Sequence, residues 1–208
     1  MENQDINFCK ALEALFDVTS TRLLRRAKRY SFGSREECEK IFYQAFSYID
    51  KSVIEIQHLS EYSEVIDWMT DTKGKGLLLT GDCGRGKTTI AYGVIPLIFQ
   101  YFKSVTLYPV QAQDIHRKIE KLIPEEDMFS RYGYVIDDVG TESIATDFGN
   151  RYEPVMRLIN EAEAKLMLLV ITTNLSPEEL LRRYDVRTMD RIARLCKTIK
   201  FKGKSLRK

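Results

Sequence analysis

Proline is absent from the first 70 residues, and Gly33 is the only glycine among them. A stretch without these two punctuating residues has few sharp turns, so helices are expected there. Cysteine is sparse and scattered, at Cys9, Cys38, Cys83 and Cys196. No two have metal-ligand spacing, and none suggests a disulfide framework, so a reduced cytoplasmic protein is expected. There is no long hydrophobic run. The longest, from Ile90 to Phe102, is about a dozen residues, contains Pro96 and is too short to span a bilayer. The polar, acidic opening MENQDINFCK does not have the pattern of a secretory signal, so no membrane role is expected. Large net charge is also missing: the formal value is +2, which by itself does not point to nucleic acid.

What is present suits a packed protein. The 208 residues are 44% hydrophobic and 30% charged, enough for a core in one medium domain with a small appendage. The charge is unevenly placed. Between Arg182 and Lys208 there are eleven Lys or Arg against two Asp, whereas residues 1–70 carry nine basic and twelve acidic side chains. The basic C-terminal stretch suggests contacts to phosphate, in nucleotide or nucleic acid.

Phe8, Leu12, Leu15, Phe16 and Leu23 recur at helical spacing, and Arg22, Arg25, Arg26 and Arg29 are spaced for one helix face. Ser34 with Glu37 reads as a capping box opening a second helix, whose apolar face is Ile41, Phe42, Ala45, Phe46 and Ile49. A third helix is expected over 61–70. Residues 1–70 thus form a small helical region. After Gly74, short apolar runs alternate with amphipathic ones. Strands are predicted at 77–80, 105–108, 134–136 and 166–171, and helices at 87–102, 110–122 and 148–164. Ser176-Pro177-Glu178-Glu179 marks a further helix start. The alternation predicts an α/β fold with a parallel sheet flanked by helices over residues 71–208.

Residues Gly81-Asp82-Cys83-Gly84-Arg85-Gly86-Lys87-Thr88 fit the phosphate-loop spacing, after the predicted strand at 77–80 and before a predicted helix. The glycines let the backbone wrap around a polyphosphate, and the following helix adds its positive N-terminal end. Lys87 is placed to reach the β- and γ-phosphates, and the Thr88 hydroxyl to ligate Mg²⁺; Thr89 completes the candidate set. Cys83 reads as a small side chain tolerated in the loop. About fifty residues on, the apolar run 134–136 ends in Asp137 and Asp138. Ligands of such sheets bind at the carboxyl ends of strands, so Asp137 is the second candidate for Mg²⁺. Asp138 is placed either to orient or deprotonate an attacking water or to cap a turn into Gly140. Asn174, beyond the strand at 166–171, either reads the γ-phosphate or positions the attacking water, or else forms a turn. Arg187, Arg191 and Arg194 share a helix face, available to phosphate oxygens or to Asp190.

Together these segments resemble the AAA+ superfamily, and within it the DnaC-type helicase loaders and the IstB-type transposition helper ATPases. The resemblance covers about residues 70–208. LLLTGDCGRGKTT resembles the Walker A strand and loop, YVIDDVG the Walker B segment, and LLVITTN the sensor 1 strand with Asn174 as sensor. RYDVRTMDRI resembles the arginine-finger segment, which implies Arg191 as the finger and Arg187 as the second choice. FKGKSLR resembles the sensor 2 segment, which implies that Arg207 contacts the nucleotide of its own subunit. Many members have Glu where this chain has Asp138, so slow intrinsic hydrolysis is expected.

The resemblance implies ATP and Mg²⁺ as cofactors, hydrolysis of ATP at a subunit interface, and homo-oligomers in a ring or spiral. It also implies single-stranded DNA and a replicative helicase as partners, the helicase held through residues 1–70. A transposition helper acting on duplex DNA and a transposase is the alternative. A small-molecule kinase has no use for a sensor asparagine followed by two arginine segments.

Overall fold

Ser34 caps the first helix among the described residues of the computed structural model, which are 27–51, 56–117, 132–143, 145–147 and 150–206. The Ser34 hydroxyl accepts from the Glu37 amide at 3.3 Å, and the Glu37 carboxylate accepts from the Ser34 amide at 2.7 Å, closing the expected capping box. Helix α1 (Arg35–Ile49) follows, and α2 (Ser60–Thr70) lies beside it. The helix expected near the N-terminus, with Arg22, Arg25 and Arg26, lies outside the described residues. Arg29 is not on a helix face: it sits in a non-helical segment and pairs with Asp71.

The sheet begins with β1 (Gly76–Gly81). The helix expected over 87–102 is present in two textures: a π-helical turn, Thr89–Val94, runs into α3 (Ile95–Lys103). Pro96 explains the wide turn. It has no amide to donate and its ring crowds the carbonyl four residues back, so the backbone widens just before it and Ile95 bonds to Ile90 instead. Strand β2 (Thr106–Gln111) is longer than predicted, and the helical residues expected from 110 begin only at Ala112. Pro109 lies within β2, which its place at the edge of the sheet permits.

Then come β3 (Tyr132–Asp137), the short antiparallel pair β4 (Ala145–Asp147) and β5 (Asn150–Tyr152), α4 (Pro154–Ala164), and β6 (Leu168–Thr173). Helices α5 (Pro177–Arg183) and α6 (Val186–Leu195) lead to β7 (Cys196–Phe201). Three of these were not foreseen. Strand β4 lies just before the helix predicted over 148–164 and β5 falls within its start, while β7 occupies a stretch read only as basic.

The five long strands are parallel, in the order β2-β3-β6-β1-β7. Side chains alternate between the faces. Leu77, Leu79, Val135, Val170 and Ile199 join α1, α2 and α3 in one core; Leu78, Ile136, Leu169 and Ile171 join α4 and α6 in the other. Phe42, Phe46, Tyr62 and Trp68 of α1 and α2 belong to the same core as Leu77 and Phe201. A boundary at residue 70 therefore cuts through one packed core, and the composition shift there marks a change of secondary structure. No helix among the described residues is long and apolar enough to cross a membrane.

Candidate functional site

The sheet order puts β6 between β3 and β1, so the carboxyl ends of these three strands converge. The loop Gly81–Thr88 leaves β1 at this edge. Gly81, Gly84 and Gly86 all have positive φ, and none leaves room for a side chain: a Cβ on Gly81 would collide with the Phe201 carbonyl oxygen. A Cβ on Gly86 would lie 2.6 Å from the Tyr62 hydroxyl, and one on Gly84 would run into Ser205.

Lys87 is buried, 6% exposed, and its ammonium donates to the carbonyls of Gly81 and Asp82 at 2.7 Å each. Burial lowers its pKa, while Cys83, Asp138, Asp82 and Asp137 act in the opposite direction. A buried cation inside a glycine-wrapped loop suits a polyphosphate, which brings the counter-charge that burial demands.

The Asp137 carboxylate is 1% exposed and fully engaged. Its Oδ1 accepts from the Thr88 hydroxyl at 3.2 Å and from Thr172; its Oδ2 accepts from the Gln111 amide at 3.0 Å. A hydroxyl from the loop and a carboxylate from β3 thus meet, two hard oxygen donors that could hold a divalent cation. Among the described residues there is no cluster of three His, Cys, Asp or Glu that would form a closed metal cage.

Asp138 has φ +55°, the left-handed region that aspartate tolerates better than most residues. Its amide donates to the Thr172 hydroxyl at 3.0 Å, and its carbonyl accepts from the Thr141 hydroxyl at 2.7 Å. Its backbone thus closes the turn, while its carboxylate accepts from the Asn174 amide at 3.4 Å. Backbone strain of this kind persists where the surroundings hold it in place.

Two loop side chains turn away from the cradle. Asp82 accepts from the Gly203 amide at 2.8 Å, and its own amide donates to the Phe201 carbonyl. Arg85, expected to face phosphate, is buried against Glu61. Cys83 is exposed, and Thr89 lies where the π-helical turn begins. Arg191 donates to Glu163 at 2.9 Å, and Arg194 pairs with Glu163 and Asp190, whereas Arg187 is exposed on the first turn of α6. With Arg183 held by Glu153, three of the eleven basic residues from Arg182 onward are paired with acidic partners. Lys200, Lys202 and Lys204 remain exposed; Arg207 lies outside the described residues.

Sequence reasoning passed over Thr172, Gln111 and Glu142. The signal for Thr172 was available, since two threonines end an otherwise apolar strand, but attention went to Asn174. Gln111 falls where a helix was expected. Glu142 is buried, accepts from the Gly140 amide at 2.8 Å and from the Tyr184 hydroxyl, and so ties the turn after Asp138 to the end of α5. Burial and this hydrogen bond push the Tyr184 phenol far above its usual range.

Thr172 bridges the two aspartates, so Thr172→Val should orphan the half-buried Asp138 amide and remove one donor to Asp137. The expected loss is about 1–3 kcal/mol of stability, read by urea unfolding. A variant as stable as its parent would show that the bridge is not what holds the acidic strand end.

No protein-family model matches the sequence, and no curated protein matches it significantly. Solved structures do. The chain is similar to the DnaC helicase loader, at TM-score 0.56 and 17% identity over 79% of this chain and 99% of that one. It is similar to DnaI at TM-score 0.52 and 18% identity, covering 86% and 96%. It is also similar to AMPPCP-bound DnaA from Aquifex aeolicus, at TM-score 0.51 and 15% identity, over 76% of this chain and 52% of DnaA. With the glycine-wrapped loop on β1, the acidic end of β3 and β6 between them, the chain shares with these structures the fold of a parallel α/β sheet flanked by helices.

Proposed function

We propose that this chain is an ATP-hydrolysing DNA-replication protein that binds single-stranded DNA and loads or remodels a replicative helicase. The observation that carries the reading is the meeting of Thr88 and Asp137 beside the buried Lys87. The loop backbone and Lys87 would bind the polyphosphate. Thr88 and Asp137 would hold Mg²⁺, which when bound offsets charge on the β- and γ-phosphates. Asp138 takes the proton of the attacking water, and Asn174 steadies that carboxylate. Because aspartate is one methylene shorter than glutamate, the water is held loosely and turnover is slow until a partner stimulates it.

An arginine finger on α6 serves the nucleotide of the next subunit, which requires head-to-tail assembly. The likeness to the DnaC helicase loader and DnaI supports the replication role at the level of fold. The helicase would be held through residues 1–70, and exposed Lys200, Lys202 and Lys204 offer contacts to DNA phosphates.

The test is phosphate release by the full chain with single-stranded DNA, with duplex DNA and with small acceptors, together with capture of a replicative helicase. Stimulation by single strands and helicase capture are expected. Dependence on duplex DNA with activation of a transposase would replace this reading with the transposition helper. Phosphorylation of a small acceptor would replace it with a kinase.

A further inference from the structure

The phosphate loop is gripped from behind by α2, and Arg85 is the point of attachment. Its Nε donates to Glu61 Oε1 at 3.0 Å, and a second guanidinium nitrogen reaches the same carboxylate. A third donates to the Lys204 carbonyl at 3.3 Å. The Arg85 carbonyl accepts from the Tyr62 hydroxyl at 3.2 Å, so neighbouring residues of α2 hold both the side chain and the backbone of one loop residue. The Glu61 and Arg85 side chains are only 4% and 9% exposed.

Such a pair is a poor device for stability. Each ion loses several kcal/mol of hydration on burial, and apolar residues of the same volume often hold a fold as well or better. What an ion pair adds is direction: a planar guanidinium fork accepts one arrangement of its carboxylate. Arg85 directly precedes Gly86, Lys87 and Thr88, so any shift of α2 is passed to the ammonium and hydroxyl that face the cradle.

We infer that Arg85 is a positioning residue that couples α2 to the phosphate loop: nucleotide in the loop stiffens α2, and displacement of α2 loosens the loop. The inference rests on the proposed reading of the loop as a nucleotide site. Linkage makes the coupling reciprocal. Since α2 lies within residues 1–70, a partner docked there that shifts α2 changes nucleotide affinity by the factor through which nucleotide changes partner affinity.

Hydrogen exchange of the full chain with and without AMPPCP and Mg²⁺ tests this, alongside direct measurement of AMPPCP affinity. In the unaltered chain, nucleotide should slow exchange across residues 60–70 by about fivefold or more. Arg85→Met should still bind, about tenfold more weakly, and lose the slowing. Because that variant leaves Glu61 buried without its partner, the double variant Glu61→Leu with Arg85→Met removes both charges and should give the same result. Nucleotide-dependent slowing that survives in the folded double variant would overturn the coupling. So would an unaltered chain that binds AMPPCP with no change in α2. An unaltered chain that binds no nucleotide would overturn the reading of the site itself, and the coupling with it.

Discussion

Lys87→Ala is expected to lower affinity for ATP with Mg²⁺ by about a hundredfold or more. Removing one partner of a buried, hydrogen-bonded charge pair costs roughly 2–5 kcal/mol, and each 1.4 kcal/mol is a factor of about ten. Lys87 meets the conditions for the upper part of that range, being buried and already aimed at the loop by two carbonyls. The fold should survive, because the side chain contributes a buried charge rather than apolar packing, so thermal stability without nucleotide should stay level or rise. Calorimetric titration beside a thermal melt reads both quantities. Parental affinity in a folded Lys87→Ala protein would remove the loop from the phosphate site.

The second large effect is on turnover. Arg191→Ala should cut ATP hydrolysis by about a thousandfold while leaving ATP affinity near the parental value, the signature of a group that acts on a neighbour's phosphate in the transition state. Mixing Arg191→Ala with Lys87→Ala should then restore activity. In random assemblies about a quarter of the interfaces join an intact loop to an intact arginine. Arg191 is held by Glu163 within its own subunit, so it must exchange that partner on assembly, whereas Arg187 already faces outward. Arg187→Ala therefore belongs in the same assay. A drop in neither variant, or a drop that mixing does not repair, would end the case for a shared active site.

Much of the site was legible because its signals are local. The spacing of Gly81, Gly84, Gly86 and Lys87 dictates a wrapped loop wherever a strand precedes and a helix follows, and both are present. The capping boxes at Ser34 and Ser176 were equally readable, since each is a contact across three residues. Boundaries were harder. Strand β2 outran its prediction: it continues through Pro109, and only the sheet order shows the edge position that makes this possible. Strand β7 went unseen because its lysines alternate with buried Cys196, Ile199 and Phe201 in a stretch dominated by charge.

The order of glycines, lysine, threonine and aspartates along the chain by itself determined that a glycine-wrapped loop and an acidic strand end belong to one parallel α/β sheet. Only the tertiary structure decided which side chains serve that site. It turned Arg85 from the cradle to Glu61, gave Asp137 its partners Thr172 and Gln111, and drew α1 and α2 into the core of the sheet. The reason is one of range. Backbone turns and caps are set by neighbours a few residues away, whereas the direction of a buried polar side chain is set by whichever distant group offers it a hydrogen bond once water has gone.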